Sequence, residues 1–415
     1  MPTKARGLFD LIASFEALHA AALRAAKGKR SKPGVAAFLA NLETEVLQLE
    51  RQLRSGRYRP GRYKKIEIFD PKHRIVSAAP FRDRVVHHAL CAICDPIFER
   101  GFIHDSYANR NGKGTHRAVT RFEQFRDAAR YVLRCDIYSY FPAIDHDILK
   151  RDLRRRIGCE RTLDLADRII DGSNKQEPVD LHFPGDDLLA PLQRRRGLPI
   201  GNLTSQLFSS LYLDGFDHFC KEVLRVKGYV RYVDDFALFH DDPDILQQWR
   251  RRIESYLEGR RLRLHPCKTG IFSTQEPHQF LGFVLLPDGR RRLPETNVRR
   301  FRNRLRGLRD RWRHGTATQE EVIRRVRSWI AHAGQSNTWR LRRSIFRAGW
   351  FDPAFEPGTP PGACCAAAPG TTTPGTCAPR TATGTPPATA TTTGSALPAH
   401  SKAGTGGATA LPGAQ

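Results

Sequence analysis

The stretch "YVRYVDDFALF", Tyr229 to Phe239, sets two adjacent aspartates, Asp234 and Asp235, in the middle of an aromatic and β-branched run. Residues of that kind build strands. Burying two carboxylates inside a sheet without cations costs several kcal/mol each, which argues for a hairpin. Tyr229 to Val233 then forms one strand, Phe236 to Phe239 the other, and the tip carries Asp234 and Asp235 at a fixed point above the sheet. The ordinary explanation of an Asp-Asp pair is a surface turn, so a second feature is needed before the pair implies chemistry.

The stretch "YVLRCDIYSYFPAIDHDIL" supplies it. Tyr131 to Cys135 has the pattern of a strand ending at Asp136, an aromatic loop follows, and a helix begins at Asp145. If the two strands are neighbours, Asp136 faces the Asp234–Asp235 tip and three carboxylates converge. That is the usual protein contribution to a two-Mg²⁺ site for in-line phosphoryl or nucleotidyl transfer, with Mn²⁺ as a substitute. One metal would lower the pKa of an attacking 3′-hydroxyl, and the other would neutralise the triphosphate and the leaving pyrophosphate.

Charge points the same way. Lys and Arg number 68 against 43 acids, a formal net charge of +25. A polyanionic partner follows, nucleic acid first and an anionic membrane surface second. The uncharged run from Gly197 to Leu213, "GLPIGNLTSQLFSSLYL", is too polar and too rich in Gly and Pro to span a bilayer. The N-terminus lacks the charged, apolar, small-residue order of a signal peptide, so the expectation is a cytoplasmic protein without a membrane partner. Nine cysteines are scattered without framework spacing, and the CxxC at Cys91–Cys94 has no second pair nearby to complete a zinc site. Helical packing within "VVHHALCAICDPIF" accounts for it, and the other cysteines fit buried thiols in a reducing compartment.

Composition divides the chain into an N-terminal helical region, 1–60, a mixed core, 61–286, an arginine-dense helical segment, 287–355, and a tail, 356–415. In the first, Val35, Phe38, Leu39, Leu42, Val46, Leu49 and Leu53 recur at helical spacing behind a Ser31-Lys32-Pro33 start signal. In the second, strands and helices alternate irregularly, as in an α+β enzyme. From Gly289 to Trp350 there are 18 Arg and no Lys against four acids, a net +14. Helical periodicity persists there through Leu305, Leu308 and Trp312, then Val322, Val326, Trp329 and Ile330. A charge this lopsided, interleaved with Trp and Phe, fits a nucleic-acid contact surface better than a solvated face. The Pro/Thr/Ala/Gly tail carries only Glu356, Arg380 and Lys402 as charges, and its composition predicts disorder.

"YVDD" resembles the YxDD signature of reverse transcriptases, and the ordered blocks of that family can be followed over most of residues 35–350. "FDPKHRIVSAAPFRDRVVHHAL" (69–90) resembles the first fingers block and "FIHDSYANRNGKGTHRAV" (102–119) the second. "CDIYSYF" resembles palm motif A, "GLPIGNLTSQLFSSLYL" the template-gripping motif B, "LRLHPCKTGIF" (262–272) the motif D region, and "FLGFVL" (280–285) the primer grip. The resemblance implies a right-hand polymerase with fingers, palm and a helical basic thumb. It makes Asp136, Asp234 and Asp235 the metal ligands and Tyr232 the tyrosine of the signature. Phe141 takes the aromatic position that screens the 2′-position of the incoming nucleotide, although core packing would explain it equally. Arg74 would lie over the triphosphate and Lys268 would protonate the departing pyrophosphate, against the plain alternative of surface charge. Gly201 would let the backbone approach the nascent base pair, as only glycine permits.

Motif B departs from the common QG…SP pattern: it has Ile200-Gly201 and Ser205-Gln206. That variant resembles the reverse transcriptases of diversity-generating retroelements, which copy a template RNA with errors at adenines and work with a small basic accessory protein. The partners implied are template RNA, an RNA–DNA duplex, dNTPs and such a protein. A retron-like, group II intron-type or defence-associated enzyme is the alternative. A non-catalytic RNA-binding maturase is a second, and it has no need of three mutually repelling carboxylates. A plain basic DNA-binding protein would consist of small helical modules instead of alternating strands.

Overall fold

Side-chain alternation along the central strands divides the apolar residues between two cores. The computed structural model describes residues 4–69, 74–173 and 181–347. The expected tail, 356–415, and the end of the arginine-dense segment lie outside them. Among the described residues β1 (Lys64–Ile68) and β2 (Arg74–Ala78) form a two-stranded antiparallel sheet. A second sheet of four antiparallel strands runs in the order β4–β5–β3–β6, from β3 (Tyr131–Asp136), β4 (Gly228–Tyr232), β5 (Asp235–His240) and β6 (Gly270–Ser273). A third joins β7 (His278–Phe280), β8 (Phe283–Leu285) and β9 (Arg291–Arg292).

The four-stranded sheet is covered on both faces. Leu133, Cys135, Tyr229, Phe236 and Leu238 belong to the larger core, with the helices Phe15–Ala26, Phe81–Glu99 and Leu203–Tyr212. Val132, Val230, Ala237 and Phe239 belong to the other core, with the helix Thr115–Asp127 and the arginine-dense helices. Residues i and i+2 share a face of a strand, so one strand can serve two cores at once. Cys91 and Cys94 are both buried within Phe81–Glu99, as plain packing requires.

The N-terminal periodicity yields two helices, Pro33–Ala40 and Leu42–Arg54, interrupted at Asn41. The expected helix start at Asp145 is a cap: its carboxylate accepts hydrogen bonds from the Asp147 and Ile148 amides, and His146–Arg156 follows.

The arginine-dense segment forms Glu295–Arg313, Gln319–Ala333 and Trp339–Arg347. Val298, Phe301, Leu305 and Leu308 make its buried stripe, and Phe301 stacks on Trp329 with centroids 3.8 Å apart. Arg299, Arg300, Arg302 and Arg306 stand exposed on the other side. Burying each large apolar side chain contributes about 1.5–3 kcal/mol, which leaves the arginines free to face a partner. No helix among the described residues is long and apolar enough to cross a membrane.

Candidate active site

The hairpin predicted around the aspartates is present, with its turn one residue earlier than expected. β4 ends at Tyr232 and β5 begins at Asp235, so the two turn residues are Val233 and Asp234, and Asp235 is already in the strand. Val233 has φ +57°. A β-branched residue there is a strained choice costing roughly 1–3 kcal/mol, and its strand propensity is why the sequence pattern assigns it to β4.

β3 and β5 are neighbours, and their register sets Asp136 directly across from Asp235. The amide of Ile137 donates to the Asp234 carbonyl at 3.3 Å, tying the loop after β3 to the turn. All three aspartates are half-buried. The Asp234 carboxyl is pushed up to about 6, first by burial and then by the charge of Asp136. Asp235 is also raised, by burial first and then by Asp234 and Asp136. Neighbouring like charges at one end of the sheet therefore oppose the ionisation of Asp234 and Asp235.

Cationic side chains answer them. The Lys268 Nζ donates to Asp136 Oδ1 at 2.7 Å, and the amide of His265, three residues before it, donates to the Asp136 carbonyl at 2.7 Å. Arg74, exposed at the start of β2, is close enough for its charge to favour the ionised form of Asp234. Arg134 does the same for Asp235.

Three carboxylates are the hard oxygen donors that Mg²⁺ or Mn²⁺ takes, so the donor chemistry fits a divalent cation. The side chains are not drawn onto one point: among the described residues no group of three or more His, Cys, Asp or Glu gathers closely enough to hold a metal ion. Asp136 is engaged by Lys268 instead.

The motif-B residues lie where β2 meets the helix Leu203–Tyr212. The Ile200 carbonyl accepts from the Ser77 amide at 2.9 Å, and the buried Asn202 side chain donates to the Ser77 carbonyl at 3.1 Å. Gly201 has φ +109°, and a Cβ there would stand 2.7 Å from Val76 Cγ1. The glycine thus admits a close approach by β2 of the chain itself. Phe141 is half-buried against the larger core, and its carbonyl accepts from the Leu198 amide at 2.9 Å. Tyr232 turns to the opposite face from Arg231, where its hydroxyl accepts from Thr115 Oγ1 at 3.1 Å. Gln206 is exposed and lines a groove with Arg24, His88, Asp95 and Asn109 that none of the three aspartates lines.

Sequence patterns alone did not reveal a buried ion pair beneath the turn. Asp217 on the helix Asp214–His218 accepts from Arg231 Nε at 2.6 Å, from Arg231 Nη2 at 2.5 Å and from the Tyr229 hydroxyl at 2.7 Å. A signal existed: an arginine inside an apolar strand run requires a buried acid, and "LDGFDHF" offers two.

Comparison with known proteins agrees with the blocks. The family described as "Reverse transcriptase (RNA-dependent DNA polymerase)" matches residues 64–285. Protein YkfC of Escherichia coli K12 is 27% identical over 287 residues, covering 60% of this chain and 71% of that protein. Nuclear intron maturase 1, mitochondrial, of Arabidopsis thaliana is 25% identical over 96 residues, covering 23% of this chain and 14% of that protein. Among solved structures, telomerase from Candida albicans bound to a fragment of telomeric RNA matches with a TM-score of 0.41 and 14% identity, over 70% of this chain and 55% of that one.

Proposed function

Because the chain belongs to the reverse transcriptase family, we propose that it is an active RNA-directed DNA polymerase whose chemistry is carried by Asp136, Asp234 and Asp235. Its α+β fold is that of a right-hand polymerase. In our reading, residues 61–286 make fingers and palm around the four-stranded sheet, and 287–355 the basic thumb. The observation that carries the proposal is the β3–β5 register, which sets Asp136 opposite Asp235 and beside the Asp234 turn.

In this reading Asp136, Asp234 and Asp235 would hold divalent cations, Mg²⁺ or Mn²⁺, which would supply Lewis-acid stabilisation of the developing charge. The primer 3′-oxygen attacks the α-phosphorus of a dNTP as its proton passes to solvent water. The bond to the bridging oxygen breaks, and Lys268 Nζ gives a proton to the leaving pyrophosphate. Arg74 offsets the charge of the triphosphate, and Phe141 and Tyr232 flank the nucleotide. Ile200, Gly201 and Gln206 meet the template side.

The finer assignment is to the diversity-generating type, with template RNA, an RNA–DNA duplex, dNTPs and a small basic accessory protein as partners. It rests on Ile200-Gly201 and Ser205-Gln206. A second reading, an RNA-binding maturase, is favoured by the likeness to Nuclear intron maturase 1.

The test is extension of a DNA primer on an RNA template by the purified chain with Mg²⁺. Extension by the wild type and its loss in Asp234→Ala are expected. Extension at an equal rate by Asp234→Ala would show the site to be misplaced. Tight RNA binding without extension by the wild type would favour the maturase reading.

A further inference from the structure

Among the described residues Arg231 is the largest side chain buried almost completely, 1% exposed, and its acid partner Asp217 is 0% exposed. Nε and Nη2 are both spent on the Asp217 carboxylate, which also accepts from Tyr229. Tyr229 and Arg231 are two residues apart on β4 and therefore share a face. The remaining terminal nitrogen, Nη1, points along the strand and donates to the Val233 carbonyl at 3.0 Å. The backbone of Arg231 is fixed as well: its amide donates to the Asp105 carbonyl at 3.0 Å, and its carbonyl accepts from the Tyr107 amide at 2.9 Å.

Val233 is the residue at φ +57°, and the next residue is Asp234. A valine reaches that backbone region only when its surroundings over-determine it. The guanidinium can do so because a bidentate pair fixes its plane, which a point-charge ammonium cannot imitate. We propose that Arg231 is a positioning residue for Asp234: locked onto buried Asp217, it holds the Val233 carbonyl and so maintains the left-handed turn that presents the Asp234 carboxylate. The inference rests on the polymerase reading of Asp234.

Two variants test it in the full chain. Arg231→Lys keeps a positive charge opposite Asp217 but lacks the fork that reaches Val233. The pair Arg231→Met with Asp217→Leu removes both charges together, a replacement that buried ion pairs often tolerate. Each loses a buried hydrogen bond, the second variant that of the Tyr229 hydroxyl, so each should melt somewhat lower yet remain folded at the assay temperature. Each should bind primer–template normally and lose kcat, by roughly 10²-fold for a misplaced group. Amide hydrogen exchange at Asp234 and Asp235 should quicken. Val233→Gly, which adopts positive φ without strain, should restore much of the lost kcat in the Arg231→Lys background.

A folded Arg231→Lys protein with wild-type kcat and unchanged exchange would overturn the proposal, as would failure of Val233→Gly to restore any activity. Loss of folding in both variants would overturn it too, since Arg231 would then be an ion-pair partner for stability alone. Should the wild type itself extend no primer, the polymerase reading fails first, and hydrogen exchange still judges the clamp.

Discussion

Asp136 stands directly opposite Asp235 in the antiparallel pairing of β3 with β5, so two acidic side chains share one end of the sheet with Asp234 beside them. Opposed like charges weaken a strand pair, and here they also meet partial burial. The molecule maintains a locally unfavourable arrangement where chemistry is proposed.

One consequence is a gain in stability from a substitution that destroys activity. The folded-state pKa of Asp234, about 6, lies above its ordinary 3.8. Between those values the folded chain binds the proton more readily than the unfolded chain, so stability falls as pH rises through the window and stays lowered above it. Asp234→Asn should therefore be more stable than wild type in metal-free buffer at pH 7, by on the order of 1–3 kcal/mol, and melt at a higher temperature. The difference should shrink towards pH 4. Paired thermal melts across pH check this; a lower melting temperature at pH 7 would contradict the electrostatic account.

Lys268→Ala separates chemistry from stability. Its ion pair with Asp136 lies at the surface, the lysine side chain 44% exposed, and such pairs contribute about 0–1 kcal/mol. Folding should be almost unchanged. Loss of a general acid should slow the chemical step about 10²-fold or more, read as single-nucleotide incorporation under rapid quench. A normal rate in that experiment would mean that Lys268 serves only as a counter-charge to Asp136.

Replacing exposed Arg299, Arg300, Arg302 and Arg306 together with Gln should flatten the salt dependence of binding to an RNA–DNA duplex. Each lost phosphate contact lowers the slope of log K against log salt by about 0.7–0.9. The helix should survive, because its buried stripe of Val298, Phe301, Leu305 and Leu308 is untouched. An unchanged slope would place the duplex elsewhere.

Ile200→Gln addresses fidelity. Isoleucine offers no donor or acceptor beyond its backbone and is stiff at χ1. If it forms an apolar wall where a glutamine would help to hold the nucleotide, losing about 1–3 kcal/mol of positioning relaxes discrimination roughly 5- to 150-fold. Sequenced cDNA from both proteins should show more errors in the wild type, concentrated at template adenines. Equally low, base-independent errors would leave an ordinary reverse transcriptase.

Much of this was legible in the sequence, because local rules govern it. The strand ending at Asp136, the cap at Asp145 and the amphipathic arginine-dense helices each follow from a period or a capping residue. The misses are tertiary. Val233 reads as strand by propensity and becomes a turn residue because β4 and β5 close in a two-residue hairpin. Arg231 stands out only as an arginine inside an apolar strand run, and which acid it pairs with is decided when the helix Asp214–His218 brings Asp217 to β4. The need for glycine at position 201 has a tertiary side as well, since a Cβ there would meet Val76, on a strand far earlier in the chain.

The strand order β4–β5–β3–β6 also fixes when the site can come into being. Asp136 is synthesised about a hundred residues before the strand that supplies Asp235, and contacts of that separation form late because loop closure precedes their reward. Lys268 is further still, 132 residues from the carboxylate it engages. On a ribosome, the N-terminal helices and the Asp136 strand emerge long before any partner exists for that acid. The nascent chain therefore carries a lone carboxylate at first, and the three acids share one end of the sheet only when the β4–β5 hairpin docks on β3.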